Sequence, residues 1–346
     1  MSLTVLNVAY PLAPVTPDAA GGAEQVLGLI DEALVRAGHR SIVLACEGSA
    51  VRGKLIATPK VQGLLDDAAC HRAREYHRRA IEEALRRWDV DLVHLHGIDF
   101  NHYLPPPGTP VIVTLHLPPG WYDRDALLTD RPGTYFHCVS ASQRAACPQG
   151  MSLLPDIENG VPVERLETPV SKRRFALAVG RICPEKGFHI ALNAARSANV
   201  PLILAGEVFR YEAHERYFIN MILPRLEDKR RVFIGPLDFE RKRRFLSAAR
   251  CLLVPSLAPE TSSLVAMEAL ACGTPVIAFP SGALAQIVEH GKTGFLVNDE
   301  QEMAEAMIAA AVIDPEVCRE VARRRFSAER MTQHYIEQYR KLIEGA

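Results

Sequence analysis

Short apolar runs alternate with longer stretches of helical period along the whole chain. In the first half the runs are VLNVAY, SIVLAC, LVHLHG, VIVTLH and YFHCVS; in the second they are FALAVG, LILAGE, VFIGPL, CLLVPS, VIAFP and GFLV. A strand apolar at successive positions is buried on both faces, and parallel strands need helical crossovers. The alternation therefore predicts an α/β protein with two doubly wound parallel-sheet domains. Gly21-Gly22-Ala23-Glu24 opens a helix with Val26, Leu27, Leu29, Ile30, Ala33 and Leu34 on its buried side. From Ala69 to Trp88 arginine and charge dominate, with Ala73, Tyr76, Ala80, Ile81, Ala84 and Leu85 near helical spacing. This predicts a surface helix whose basic face is solvated and laced with i,i+4 pairs; the alternative is a weak peripheral contact with anionic lipid. Arg241-Lys242-Arg243-Arg244 is read the same way. Ser140-Ala141-Ser142-Gln143 forms a capping box that starts a short helix. Val163 to Arg174 carries six charges and no apolar period, so a linker is expected there. The expected domains are 1–165 and 172–326, followed by a terminal helix over 327–346 with Tyr335, Tyr339 and Leu342 available for packing.

Composition narrows the partners. A chain of 346 residues is comfortable for two domains, and its 48% hydrophobic and 23% charged content is that of an ordinary globular protein. A formal net charge of −1 gives no argument for nucleic acid. The cysteines at 46, 70, 138, 147, 183, 251, 272 and 318 include no C-x-x-C pair and read as reduced packing residues. No apolar run reaches the ~18 residues that span a bilayer, and the first residues enter a strand without a basic-then-apolar leader. The expected location is cytoplasmic.

The chemistry concentrates between Pro255 and Phe279. A helix opening at Thr261-Ser262-Ser263 leaves its first N–H groups, those of Leu264 and Val265, available to an anion such as phosphate. Glu260 precedes that start, and Glu268 lies on the face of Leu264, roughly 7–8 Å along the axis at 1.5 Å per residue. The spacing suits a nucleoside diphosphate sugar, with Glu268 accepting the ribose hydroxyls and Glu260 those of the sugar. The same pattern also fits an amphipathic core helix with two solvated glutamates. A dinucleotide site is disfavoured, because no G-x-G-x-x-G follows the first strand.

Two glutamates separated by seven residues, then ALACGTPVIAF and Gly291-Lys292-Thr293-Gly294-Phe295-Leu296-Val297, resemble the donor-binding signature of the family 4 retaining glycosyltransferases. Val179-Gly180-Arg181-Ile182-Cys183-Pro184-Glu185-Lys186-Gly187 resembles the family's second signature, which holds the diphosphate with an arginine and a lysine. The resemblance covers nearly the whole chain. It implies the GT-B fold: two Rossmann-like domains facing a cleft, with the terminal helix crossing back to the first. It also places Gly22 at the donor phosphate or acceptor, His116 against the transferred sugar, and Pro236, beside Gly235, against the nucleobase. For Gly22 a loop that needs positive φ is an equal alternative. One departure stands out: many members have Gly-Phe-Gly where this chain has Thr261-Ser262-Ser263, which leaves the donor sugar open.

Cleaving the anomeric bond builds negative charge on the diphosphate, and Arg181, Lys186 and the amides at Leu264 and Val265 are the expected counter-charges. No metal or other cofactor is expected. His94, His96 and His116 come from different strand ends, and the triplets Asp89-Val90-Asp91 and Asp123-Arg124-Asp125 look incidental. No carboxylate is placed as a covalent nucleophile. The resemblance implies same-face attack, a phosphate oxygen of the leaving group taking the acceptor proton. The expected activity is hexosyl transfer from uridine diphosphate glucose to an unidentified small-molecule, glycan or lipid-linked acceptor. The alternatives are a nucleotide-sugar epimerase and a non-catalytic nucleotide-sugar-binding protein.

Overall fold

The computed structural model describes residues 2–19, 21–61, 66–168, 170–226 and 229–345. Its strands are β1 (Thr4–Val8), β2 (Arg40–Cys46), β3 (Lys54–Thr58), β4 (Leu92–Leu95), β5 (Val111–Leu115), β6 (Thr134–Cys138), β7 (Ala176–Val179), β8 (Leu202–Ala205), β9 (Arg231–Phe233), β10 (Cys251–Val254), β11 (Val276–Ala278) and β12 (Gly294–Leu296). They form two parallel sheets of six, ordered β3-β2-β1-β4-β5-β6 and β12-β11-β10-β7-β8-β9. Both follow the doubly wound order, and strand order reverses between β1 and β4 in one and between β7 and β10 in the other. Such reversal points open a crevice beyond the carboxyl ends of the strands, where ligands bind.

The alternation of side chains along a strand explains the continuous apolar runs. In the second sheet Leu177, Leu252, Val254, Val276 and Ala278 belong to one buried cluster. Their neighbours Ala176, Ala178, Cys251, Leu253 and Ile277 belong to the cluster on the opposite face. Each face is covered by helices, Leu264–Ala271 on the first and Phe188–Ser197 on the second. The first sheet has one strand that the apolar runs do not announce. KLIAT forms β3 at its edge, where Lys54 and Ala57 are exposed and the pattern is too polar to read as a buried strand.

The chain divides into two compact units, residues 1–159 with 329–346, and residues 160–328. The division falls at Gly160, ahead of the expected linker, because Val163–Leu166 forms a helical turn whose Val163 and Leu166 are buried in the second unit's core. The helix Ala328–Glu344 lies almost wholly in the first unit. Its Tyr335 and Tyr339 are fully buried, and their hydroxyls serve polar residues of the first sheet. Tyr339 Oη lies 2.6 Å from His94 Nδ1, and Tyr335 Oη lies 3.3 Å from His137 Nδ1.

The helix Asp67–Arg87 carries the expected solvated face, with Arg78 bridging Glu75 and Glu82. Its inner stripe runs through Ala69, Ala73, His77, Ile81 and Ala84, so a histidine occupies a core position there. Among the described residues no helix is long and apolar enough to cross a membrane.

Candidate active site

In the second unit the reversal point is built by two loops. After β7 the chain passes through Gly180 and the half-buried Arg181 into a short turn, Pro184–Lys186. After β10 it continues through Pro255 and Ser256 to Glu260. The loops are locked together at Gly187, whose φ of +62° is left-handed and where a Cβ would stand 2.2 Å from the carbonyl oxygen of Pro255. Leu257 N–H donates to Glu185 O at 2.8 Å across the same seam. Only glycine satisfies both the dihedral and the approach.

Within this frame Lys186 Nζ lies 2.5 Å from Glu260 Oε1, and the buried Ser256 hydroxyl donates to the same oxygen at 2.5 Å. Glu260 is fixed from behind as well. Its carbonyl accepts from Ala283 N–H at 2.7 Å, and a Cβ on Gly282 would stand 2.3 Å from that carbonyl oxygen. The Arg181 guanidinium has no ion-pair partner among the described residues, so one cation of the pair is uncommitted.

The helix runs Leu264–Ala271 with Ser263 as its N-cap, yet no side chain caps it. The hydroxyls of Ser262 and Ser263 are buried without hydrogen-bond partners, and the amides of Leu264 and Val265 donate to no backbone carbonyl among the described residues. Four donors are thus left unsatisfied at one positive helix end, an arrangement that costs free energy unless an anion or polar ligand takes them. The helix is also buried almost all round, from Ala266 through Ala271, which excludes a solvated Glu268.

Glu268 is 3% exposed and meets Lys242 Nζ at 2.6 Å. Lys242 belongs to the basic run expected to be solvated. In the helix Phe239–Ala248 it turns inward, because a buried carboxylate without a cation is costly. Pro236 is exposed, just beyond Gly235, whose φ is +72°.

The first unit presents His116 at the end of β5, half-buried, with Nε2 3.0 Å from His96 Nδ1 and the two rings stacked. His96 Nε2 is buried without a hydrogen-bond partner, whereas both nitrogens of His94 are engaged, by Tyr339 and by Thr114 Oγ1 at 2.7 Å. The three histidines are therefore committed to one another and to hydroxyls. The backbone at His116 is held by Tyr122, whose hydroxyl accepts from the amides of His116 and Leu117 at 2.9 and 3.3 Å. Gln143 donates to the carbonyls of Leu115 and Leu117. Its helix is capped as expected, the Ser140 hydroxyl accepting from Gln143 N–H at 3.2 Å. Burial pushes the His116 imidazole down to about 3 and His137 down to about 3. Gly22 is exposed at the first turn of the helix Gly22–Arg36, and the Gly21 φ of −86° removes positive φ as the reason for the glycine pair.

Sequence reasoning did not single out Ser256, Lys242, Tyr122 or Gln143 for these places. Lys242 alone left a signal, a lysine four residues after the Asp238 that caps its helix, and the signal is not specific.

Two doubly wound parallel sheets, each collecting polar groups beyond its strand ends at the reversal point, define the GT-B class. Residues 20–165 match the Glycosyltransferase Family 4 family and residues 164–326 match Glycosyl transferases group 1. The chain belongs to this family of GT-B glycosyltransferases. AviGT4, a glycosyltransferase involved in avilamycin A biosynthesis, superposes with a TM-score of 0.74 at 27% identity over 99% of both chains. Sucrose-phosphate synthase from Thermosynechococcus elongatus shares the fold at a TM-score of 0.82 and 20% identity, over 99% of this chain and all of that one. Anabaena HepE, in complex with UDP and glucose, shares it at 0.75 and 20%, over 97% and 99%. Among curated proteins, a D-inositol 3-phosphate glycosyltransferase of Corynebacterium efficiens is 32% identical over 148 residues, 41% of this chain and 35% of that one. The matched stretches span less than half the length of the curated relatives.

Proposed function

We propose that the protein is a retaining glycosyltransferase that moves a hexose, favoured as glucose from uridine diphosphate glucose, to an acceptor hydroxyl without a catalytic metal. The observation that carries this reading is the concentration of unsatisfied donors and cations in the second unit: Ser262 and Ser263 hydroxyls, the amides of Leu264 and Val265, and Arg181. Lys186 stands beside them, already aligned by Glu260. When the anomeric carbon leaves the diphosphate oxygen, negative charge develops there. Arg181, Lys186 and the helix amides are the groups that would meet it, with no reorganisation at the moment of reaction. The acceptor oxygen forms its bond to the anomeric carbon on the face the diphosphate leaves, and its proton passes to a phosphate oxygen of the leaving group.

Glu260, with one oxygen engaged by Lys186 and Ser256, keeps the other for the sugar hydroxyls. Glu268 takes the ribose through the oxygen not held by Lys242. Gly180 clears the turn before Arg181, and Pro236 borders the base. His116 and Gly22 are assigned on resemblance to the sugar and to the donor phosphate or acceptor. The complex of HepE with UDP and glucose favours the uridine donor, and the inositol-phosphate relatives make a cyclitol phosphate the first acceptor to try. The same features favour a protein acting in the cytoplasm, where nucleotide sugars are made available.

The test is release of nucleoside diphosphate from a panel of nucleotide sugars, with and without acceptors and a chelator. Selective, chelator-insensitive turnover of one donor with retention at the anomeric carbon is expected. Turnover that a chelator abolishes and magnesium or manganese restores would refute the metal-free site. Interconversion of donors without an acceptor would establish the epimerase, and binding without turnover the non-catalytic protein.

A further inference from the structure

Behind the turn that carries Arg181 and Lys186 lies a second constellation. Cys183, Glu185 and His214 bring one sulfur, one carboxylate oxygen and one imidazole nitrogen within 4.8 Å of one another. It is the one such group among the described residues. Cys183 and Glu185 alternate across the turn that follows β7, and His214 arrives from the helix Glu212–Tyr217. The Cys183 side chain is almost fully buried, and His214 Nδ1 is buried without a hydrogen-bond partner. The imidazole is wedged against Phe209 and Tyr211, with ring centroids 6.4 and 5.1 Å away. The turn is equally fixed, through the Gly187 seam and the Leu257 amide on Glu185 O.

We infer that Cys183, Glu185 and His214 form a binding site for a borderline-soft divalent cation of the zinc type, which ties the helix Glu212–Tyr217 to the Arg181–Lys186 turn. Three potential ligand atoms converge, the Cys183 thiol sharing a hydrogen bond with Glu185 and the Arg181 charge acting on all three groups. A thiolate and a carboxylate together balance a divalent ion, and the imidazole supplies a neutral third ligand. A sulfur and a nitrogen donor select zinc, and its stand-in cobalt, over magnesium, calcium or manganese. Three protein ligands leave the fourth tetrahedral position to water. The proposal is independent of the reaction assigned above, because its readout is the ion itself.

Cobalt(II) titrated into the metal-stripped full chain provides the test. One equivalent should bind, giving the visible bands of a tetrahedral ion and a thiolate-to-cobalt charge-transfer band, and zinc should bleach both. Magnesium at the same concentration should not. Cys183→Ser should remove the charge-transfer band, and His214→Gln should keep it while weakening binding by more than the ~10–100-fold that loss of an outer-shell partner costs. Circular dichroism of both variants should match the parent. A charge-transfer band that survives Cys183→Ser would place the ion at another cysteine, and absence of stoichiometric uptake by the parent would overturn the site.

Discussion

Mild acid should destabilise the first unit through its buried histidines. His77 and His137 are 0% and 1% exposed, and burial holds His77 down to about 4 and His137 down to about 3. Around His77 stand the Asp99 carboxylate, which opposes the shift, the Tyr103 ring and the Thr58 hydroxyl. Around His137 stand His116, Arg144 and the Tyr335 hydroxyl. The folded values lie below the unfolded value of 6.5, so the unfolded chain binds more protons below that pH. The stabilisation is therefore complete above pH 6.5 and is lost as pH falls towards the folded values. At pH 5 each histidine contributes about 2 kcal/mol of destabilisation, about 4 kcal/mol for the pair. His94 and His96, both driven well below the ordinary value by burial, act in the same direction. Against a typical domain stability of roughly 5–15 kcal/mol this is a large fraction. Differential scanning calorimetry of the full chain between pH 7.5 and 5 should show the transition of the first unit falling steeply. Unfolding at pH 5 should take up two or more protons. A transition independent of pH over that interval would refute the reasoning.

Lys186→Ala should leave the fold intact and lower turnover by about 10²–10³-fold, the usual effect of losing one leaving-group or oxyanion donor, as read by steady-state kinetics. Lys242→Ala strands the buried Glu268 carboxylate and should cost about 3–5 kcal/mol in urea unfolding of the second unit, whereas Lys242→Met combined with Glu268→Leu should recover most of it. Gly187→Ala forces a left-handed φ and a contact of 2.2 Å with a carbonyl oxygen, so it should destabilise the second unit by more than ~2 kcal/mol and raise the donor KM.

The apolar runs reveal eleven of the twelve strands because burial on both faces keeps most positions apolar and admits polar residues such as Asn7 and His94 where they are buried and hydrogen-bonded. β3 escapes because Lys54 and Ala57 are exposed, so its short segment lacks the continuous apolar run that marks the other edge strands β6, β9 and β12. At the site, Arg181, Lys186, Glu260 and Glu268 were visible as types and spacings within single segments. Pairings that join distant segments were not. Nothing local says that Lys242 rather than solvent faces Glu268, or that Ser256 shares Glu260 with Lys186, since the separations are 26 and 74 residues for the two lysine–carboxylate pairs. At Ser262 and Ser263 the limit is of a different kind. Small hydroxyl residues before an apolar run fit both a closed cap and an open anion site, and only the side-chain orientation distinguishes them.

The route of the chain has a consequence for biosynthesis. The second unit is one continuous stretch, 160–328, and can collapse as soon as that stretch is made. The first unit is begun earlier yet completed later. Until Tyr335 and Tyr339 are translated, His94 and His137 lack their hydroxyl partners and the sheet lacks a covering helix. Order of synthesis and order of folding are thus inverted, and the nascent first unit must wait, with an open apolar face, for a helix encoded on the far side of its neighbour. Removing the residues from 329 onward would damage the half of the molecule farthest from the deletion in sequence.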